Sequence, residues 1–197
     1  MKLSILILAA GNSSRLGQPK QLIEFEGKTL IERITETALS ISENVLIVLG
    51  ANFEEISEKL QPYSNRITML FNPDWQEGMG TSIRIGVEEL AENSDAILIL
   101  LSDQPFVNQE LIQKIIQIFT ETKAAIITCD YGNQLGVPML FNKTIFSELL
   151  KLSGDKGAKT FLNRFQDNIK TVNFPEGSFD IDTVEDVEKL QKWTRAR

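Results

Sequence analysis

Leu3-Ser4-Ile5-Leu6-Ile7-Leu8-Ala9-Ala10-Gly11-Asn12-Ser13-Ser14-Arg15-Leu16-Gly17-Gln18-Pro19-Lys20 changes character halfway along. Residues 3–9 form an apolar run of strand length with one polar interruption, the pattern of a strand covered on both faces. Residues 10–20 are small, polar and glycine-containing, and they carry two cations, Arg15 and Lys20. Open α/β sheets bind their ligands where buried strands empty into loops of this kind. The apolar run is too short for a membrane span and leads into the loop without a clear cleavage site, so a buried first strand is the reading.

The same alternation continues outward. Val45-Leu46-Ile47-Val48 and Ala96-Ile97-Leu98-Ile99-Leu100-Leu101 are further buried strands, and residues 66–71 and 124–129 are two more. Between them, residues 29–40, 53–60, 81–93 and 108–122 carry helical spacing, with Asn108 placed as an N-cap. Past residue 130 the pattern loosens: a short strand near 138–141, helices near 143–152 and 156–166, a strand near 169–173 and a last helix over 184–194. Continuous apolar strands alternating with helices predict an α/β fold of three layers, α/β/α, around a mainly parallel twisted sheet. Residues 1–197 read as a single domain, with a regular half over about 1–130 and a less regular half over about 131–197.

Composition narrows the chemistry. A formal net charge of −7 argues against a nucleic-acid partner, because duplex binding is driven by Lys and Arg neutralising phosphates. One cysteine, Cys129, excludes an intrachain disulfide and fits a reducing, cytoplasmic location without a membrane. Histidine is absent, which removes Ser-His and Cys-His nucleophile systems and His-based metal sites together. Carboxylates, cations, backbone dipoles and a bound metal ion remain.

In the loop after the first strand, small residues let backbone N–H groups approach a phosphate, and Arg15 and Lys20 add full charges. The spacing lacks Gly-Lys-Ser/Thr and is not G-x-G-x-x-G, which counts against a Walker loop and against a dinucleotide cofactor. Ser102-Asp103-Gln104-Pro105 follows the 96–101 strand directly. Asp103 reads equally as a Mg²⁺ ligand or as a turn or capping residue ahead of Pro105. In Phe179-Asp180-Ile181-Asp182-Thr183-Val184-Glu185-Asp186, an extended segment places Asp180 and Asp182 on one face, while Asp182 also suits a helix cap and Thr183 with Asp186 a capping box. Asn72 to Ser82 contains Gly78, Gly80, Thr81 and Ser82 ahead of a helix, either a capped turn with Trp75 in the core or a ligand contact.

These segments together resemble the MobA-like NTP transferases, the nucleotidyltransferases that act on the molybdenum cofactor, from Leu3 to about Leu190. The resemblance implies a Rossmann-like, GT-A type nucleotide-diphospho-sugar transferase fold and a Mg²⁺-dependent enzyme. By it, Leu8, Ala9, Ala10 and Gly11 line the base and sugar, Arg15 and Lys20 hold phosphates, and Gly80, Thr81 and Ser82 lie near the base. It makes Asp103 and Asp182 the metal pair, with Asp180 in support. Ala9-Ala10-Gly11 is similar to the cytidylyl-transferring branch, so it implies CTP. Gly136, Pro138 and Lys159 fall at acceptor-side positions, where Lys159 also reads as part of a solvated helix start. Val137 departs from the pattern, since the family usually has His between that Gly and Pro.

The expected reaction is transfer of CMP from CTP to the phosphate of a molybdopterin-type acceptor, with release of pyrophosphate and hand-on to a molybdoenzyme or its chaperone. An acceptor phosphate is already anionic at neutral pH, so positioning and charge neutralisation suffice without a strong general base. The alternatives are GTP with molybdopterin, a sugar or alditol phosphate acceptor, or a nucleotide-binding chaperone that delivers cofactor without catalysis.

Overall fold

Ile5, Ile7 and Ala9 face one side of the first strand and Leu6 and Leu8 the other, and all five are buried. Each Leu or Ile so covered contributes roughly 1.5–3 kcal/mol relative to exposure. This two-sided burial is why the strand sits at the centre of the sheet. The computed structural model describes residues 1–13, 16–154 and 157–195.

Along the chain the elements are β1 (Leu3–Ala9), β2 (Glu24–Phe25), β3 (Lys28–Thr29), α1 (Leu30–Leu39), β4 (Val45–Leu49), α2 (Phe53–Leu60), β5 (Thr68–Phe71), α3 (Met79–Leu90), β6 (Ala96–Leu101), α4 (Gln109–Thr122), β7 (Ile126–Asp130), β8 (Leu135–Asn142), α5 (Phe146–Leu149), β9 (Ile169–Asn173) and α6 (Val184–Arg195). Seven strands make one sheet in the order β5-β4-β1-β6-β8-β7-β9. Only β8 runs against the others, antiparallel to both β6 and β7. Ile31, Ile34, Ile56, Leu60, Ile112 and Ile115 bring α1, α2 and α4 onto one face. Ile83, Val87 and Leu149 bring α3 and α5 onto the other. The fold is therefore the expected three-layer, mostly parallel α/β/α arrangement. A third, smaller core joins Leu190 of α6 to Leu16, Ile23, Phe25, Leu30 and Ile181, and so clamps the chain ahead of α6 against the segment after β1.

Local signals explain the helix starts. The Thr29 side chain accepts from Glu32 N while Glu32 reaches back to the Thr29 backbone, a full capping box for α1. Asn108 accepts from Leu111 N at α4, as expected. Thr183 and Asp186 cap α6 reciprocally, at 3.1 Å and 3.3 Å. Thr183, and not Asp182, is therefore the cap residue.

Two expectations change. The strand near 138–141 extends over Leu135–Asn142. The helices expected near 143–152 and 156–166 reduce to the four-residue α5 and to short 3₁₀ turns such as Ala158–Phe161. Between them Gly154 takes φ 61, a left-handed conformation that a helix does not tolerate.

The strand order reverses between β1 and β6: the chain runs outward through β4 and β5, then returns to the other side of β1. Leu8 pairs with Leu101, so the loops after β1 and β6 leave the sheet side by side at its carboxyl edge. Ligands bind at such a switch point.

Candidate active site

A cleft of about 570 Å³ opens at that switch point. Its floor and one wall come from Leu8, Ala9, Ala10 and Gly11, and the β6 end adds Leu101, Ser102 and Asp103. Trp75, Gly78, Met79 and Ser82, at and before the first turn of α3, form the opposite wall. Trp75 is drawn in against the β1 loop because Gly50 has no side chain: a Cβ there would lie 2.6 Å from Trp75 Cβ and 2.8 Å from the Ala10 carbonyl oxygen. A smaller cavity of about 170 Å³ continues past Gly11, Asn12 and Lys20 to Ile181 and Asp182.

The β1 loop is held by its own residues. Ser13 turns at φ 53, and its hydroxyl accepts from Lys20 N at 3.0 Å. Gln21 is buried beneath the loop, where its amide donates to the Ala9 carbonyl at 3.1 Å and the Gly11 carbonyl at 2.9 Å. Those two oxygens are thereby engaged inside the protein, where they do not meet an incoming anion. Consecutive residues of one short 3₁₀ turn, Lys20–Leu22, thus serve opposite ends: Gln21 fixes the loop and Lys20 reaches the carboxylates.

Lys20 Nζ hydrogen-bonds Asp103 Oδ2 and lies 3.5 Å from Asp182 Oδ1. Burial works against the ammonium, but Asp103 and then Asp182 outweigh it and hold the Lys20 pKa above its ordinary value. Asp180 stands in the same cluster. The protein mass around its carboxyl, with the Asp103 charge behind it, pushes its pKa up to about 6. Three carboxylates from two separate loops therefore converge on one ammonium, a local excess of negative charge suited to a further cation.

Asp103 fits that role. Its Oδ1 is buried and has no hydrogen-bond partner among the described residues, and an ionised oxygen left this way is costly unless something binds it. Among the described residues no group of three His, Cys, Asp or Glu side chains is arranged as a complete metal cage. A divalent ion here would take one or two carboxylates and complete its shell with water and substrate phosphate oxygens, the usual habit of Mg²⁺.

The other expected residues are placed as follows. Arg15 lies outside the described residues. Of Gly80, Thr81 and Ser82, only Ser82 lines the cleft. Thr81 is turned inward to the carbonyls of Asp74 at 3.1 Å and Gly78 at 2.9 Å. At Gly80 the close approach is to the chain itself, since a Cβ would meet the Gly154 carbonyl oxygen at 2.9 Å. Asn72 braces this wall by donating to Thr81 and Ser82, both at 2.9 Å. Gly136 and Pro138 are buried in β8, away from the cleft lining. Lys159 is exposed, yet close enough to Asp180 to offset part of its rise.

Trp75 lies in the segment read either as a capped turn with Trp75 in the core or as a ligand contact, and it lines the cleft. Two residues missed by sequence reading also belong here: Gln21 and Gln104 are almost fully buried amides beside the reactive groups. No local signal marked the two amides, since each sits among polar neighbours in the sequence, Gln18 and Lys20 for Gln21, Ser102 and Asp103 for Gln104.

The profile of the MobA-like NTP transferase domain matches residues 5–169. The chain is 32% identical to nicotine blue oxidoreductase of Paenarthrobacter nicotinovorans, over 94% of each chain. It is 26% identical to the molybdenum cofactor cytidylyltransferase of Escherichia coli K12, over 92% of this chain and 91% of that one. Its fold superposes on Rv0371c of Mycobacterium tuberculosis in complex with manganese, with TM-score 0.81, 23% identity, and 98% and 99% of the two chains covered. A glycine-containing loop, a lysine and paired carboxylates at the sheet switch point, on a chain matched across most of its length, lead to one assignment: this protein belongs to the MobA-like NTP transferase family and is a nucleotidyltransferase.

Proposed function

We propose that the protein transfers CMP from CTP to the phosphate of a molybdopterin-type acceptor and releases pyrophosphate, with Mg²⁺ as the working metal. The observation that carries this reading is the convergence of Lys20, Asp103 and Asp182 where the cleft at the β1–β6 switch point meets the smaller cavity. Support for the cytidylyl choice comes from the Ala9-Ala10-Gly11 sequence and from the cytidylyltransferase relative.

The residues divide the work. Leu8, Ala9, Ala10 and Gly11 form a floor that takes base and sugar, with Trp75 as a flat apolar wall. Backbone N–H groups of the loop, Lys20 and Arg15 neutralise the β- and γ-phosphates, Lys20 as a point charge and Arg15 as a planar fork. Asp103 and Asp182 hold the metal, and Asp180 adds negative charge behind them. A divalent ion so held supplies positive charge to the α-phosphate and lowers the cost of the charge that builds as pyrophosphate leaves. The acceptor phosphate attacks as the anion it already is, so the protein orients it in line and need not remove a proton. Lys159, whose charge reaches Asp180, is the cation that meets it in this reading. The product passes on to a molybdoenzyme or its chaperone, and the reaction belongs in the cytoplasm.

A second reading follows from the relative named an oxidoreductase, for which this fold would serve redox chemistry. The lysine–carboxylate cluster and the lack of a G-x-G-x-x-G loop favour transfer. Mass analysis of acceptor incubated with CTP and Mg²⁺ separates the two. Acceptor heavier by one CMP supports transfer, and Asp103→Asn should abolish it. Oxidation of NADH or NADPH with no nucleotidyl product would replace it with the redox reading. Nucleotide binding with neither outcome would indicate a carrier.

A further inference from the structure

Asp103 and Asp182 sit on different loops, so something must set the distance between them. Gln104, next to Asp103, is buried, and its amide donates to the Tyr131 hydroxyl at 2.9 Å and to the Gly177 carbonyl at 3.2 Å. Gly177 lies three residues before Asp180, on the loop that carries the other carboxylates. The Tyr131 hydroxyl in turn donates to the Val137 carbonyl of β8. One amide–phenol pair therefore joins the loop after β6, the acceptor-side strand and the segment leading to Asp182.

The ring of Tyr131 is fitted as closely as its hydroxyl. A Cβ on Gly136 would lie 2.4 Å from the ring, and one on Gly177 would lie 2.2 Å from it. Phe174 meets the ring edge-on at 6.2 Å. Two glycines are thus required so that the ring can wedge between β8 and the loop before Asp180. Burial keeps the phenol protonated by pushing its pKa up, so it remains a donor to Val137 while accepting from Gln104.

We infer that Gln104 and Tyr131 are positioning residues that hold the Asp103 loop and the Asp180–Asp182 loop at the separation a divalent metal needs. This rests on the reading of Asp103 and Asp182 as the metal pair. Neither Gln104 nor Tyr131 lines the cleft or the smaller cavity beside it. They act by fixing where the carboxylates stand, and a misplacement of about 1 Å at a reacting centre can cost on the order of a hundredfold in rate.

The test is Mn²⁺ binding, followed by the spin signal of the free ion, on the wild-type protein, Tyr131→Phe, Gln104→Leu and Tyr63→Phe. Tyr63 is a control, since its hydroxyl bonds Glu36 at 2.7 Å, outside the cleft. Tyr131→Phe keeps the wedge and removes only the hydroxyl. It should weaken Mn²⁺ about tenfold, the scale of lost hydrogen bonds, and lower kcat with little change in KM for the nucleotide. Raised Mn²⁺ should recover the lost rate, which a general loss of stability would not allow. The double variant Tyr131→Phe/Gln104→Leu should be little worse than its more damaged parent. Wild-type binding matched by both single variants overturns the inference alone. Absence of Mn²⁺ binding by the wild type overturns the metal pair and this inference with it. If Gln104→Leu fails to fold, Tyr131→Phe decides.

Discussion

Lys20 Nζ stands between two carboxylates from opposite ends of the chain, hydrogen-bonded to Asp103 and 3.5 Å from Asp182. In this arrangement the ammonium occupies the charge site that a metal would share. If Asp103 and Asp182 hold the metal as proposed, that ion would compete with Lys20 for the two carboxylates, and Lys20 would be released toward the phosphates. Lys20→Ala should lower turnover by on the order of a hundredfold or more, as loss of one preorganised charge does, and should lower the melting temperature as well, because the buried Asp103 carboxylate loses its cation. The same variant should bind Mn²⁺ more tightly in the absence of nucleotide, because the competing cation is gone. Titration of free Mn²⁺ checks this, and weaker binding would show that Lys20 does not compete.

Gln21 is a buried amide with two carbonyl partners, Ala9 and Gly11. Gln21→Ala strands both oxygens beneath the loop. The expected cost is about 1–3 kcal/mol of stability, together with a raised KM for nucleotide because the loop loses its shape. Chemical denaturation and steady-state kinetics on one preparation read both effects.

Asp186 caps α6 through Thr183 and pairs with Lys189, which with Thr183 holds its pKa down to about 2. A carboxyl depressed in the folded state contributes stability above its ordinary value of 3.8 and loses it as pH falls toward about 2. The contribution should stay below about 1 kcal/mol, since the pair faces solvent. Asp186→Asn should flatten the acid-side loss of stability between these two values. A wild-type-like slope between them would remove Asp186 as its source.

Gly86 lies where α3 crosses β1, and a Cβ there would meet Leu6 Cδ1 at 2.5 Å. Gly86→Ala gains helix propensity but overpacks a buried contact. Overpacking should win and cost about 1–3 kcal/mol. A more stable variant, by thermal melting, would show that Leu6 has room to move.

The central strands were legible because burial on both faces leaves nothing but apolar side chains, as in Ile5-Leu6-Ile7-Leu8 and Ile97-Leu98-Ile99-Leu100. The strand expected near 138–141 was read too short, because the reason for Gly136 in its first half is the ring of Tyr131, a neighbour in space. The hairpin of β2 and β3 was invisible for a related reason. Its turn places Glu26 at φ 52 and Gly27 at φ 80, where Asn-Gly would have given the usual signal. Within the site, Lys20 and Asp103 were legible as charged residues just after buried strands, and the resemblance paired Asp103 with Asp182. Gln21, Gln104 and Tyr131 were not legible, since a hydrogen bond across 27 residues, as between Gln104 and Tyr131, leaves no local pattern. The helix expected over 143–152 survives as a 3₁₀ turn, Lys143–Ile145, that runs into α5, and the one expected over 156–166 as short 3₁₀ turns, with residue 156 outside the described residues.

The most direct measurement is pyrophosphate release with Mg²⁺ and each of CTP, GTP, ATP and UTP, with and without a molybdopterin-type acceptor. Release with CTP that depends on the acceptor, and that Asp103→Asn and Lys20→Ala each suppress, is the expected result. Acceptor-independent release, or no release from any nucleotide that the protein binds, would contradict nucleotidyl transfer to this acceptor.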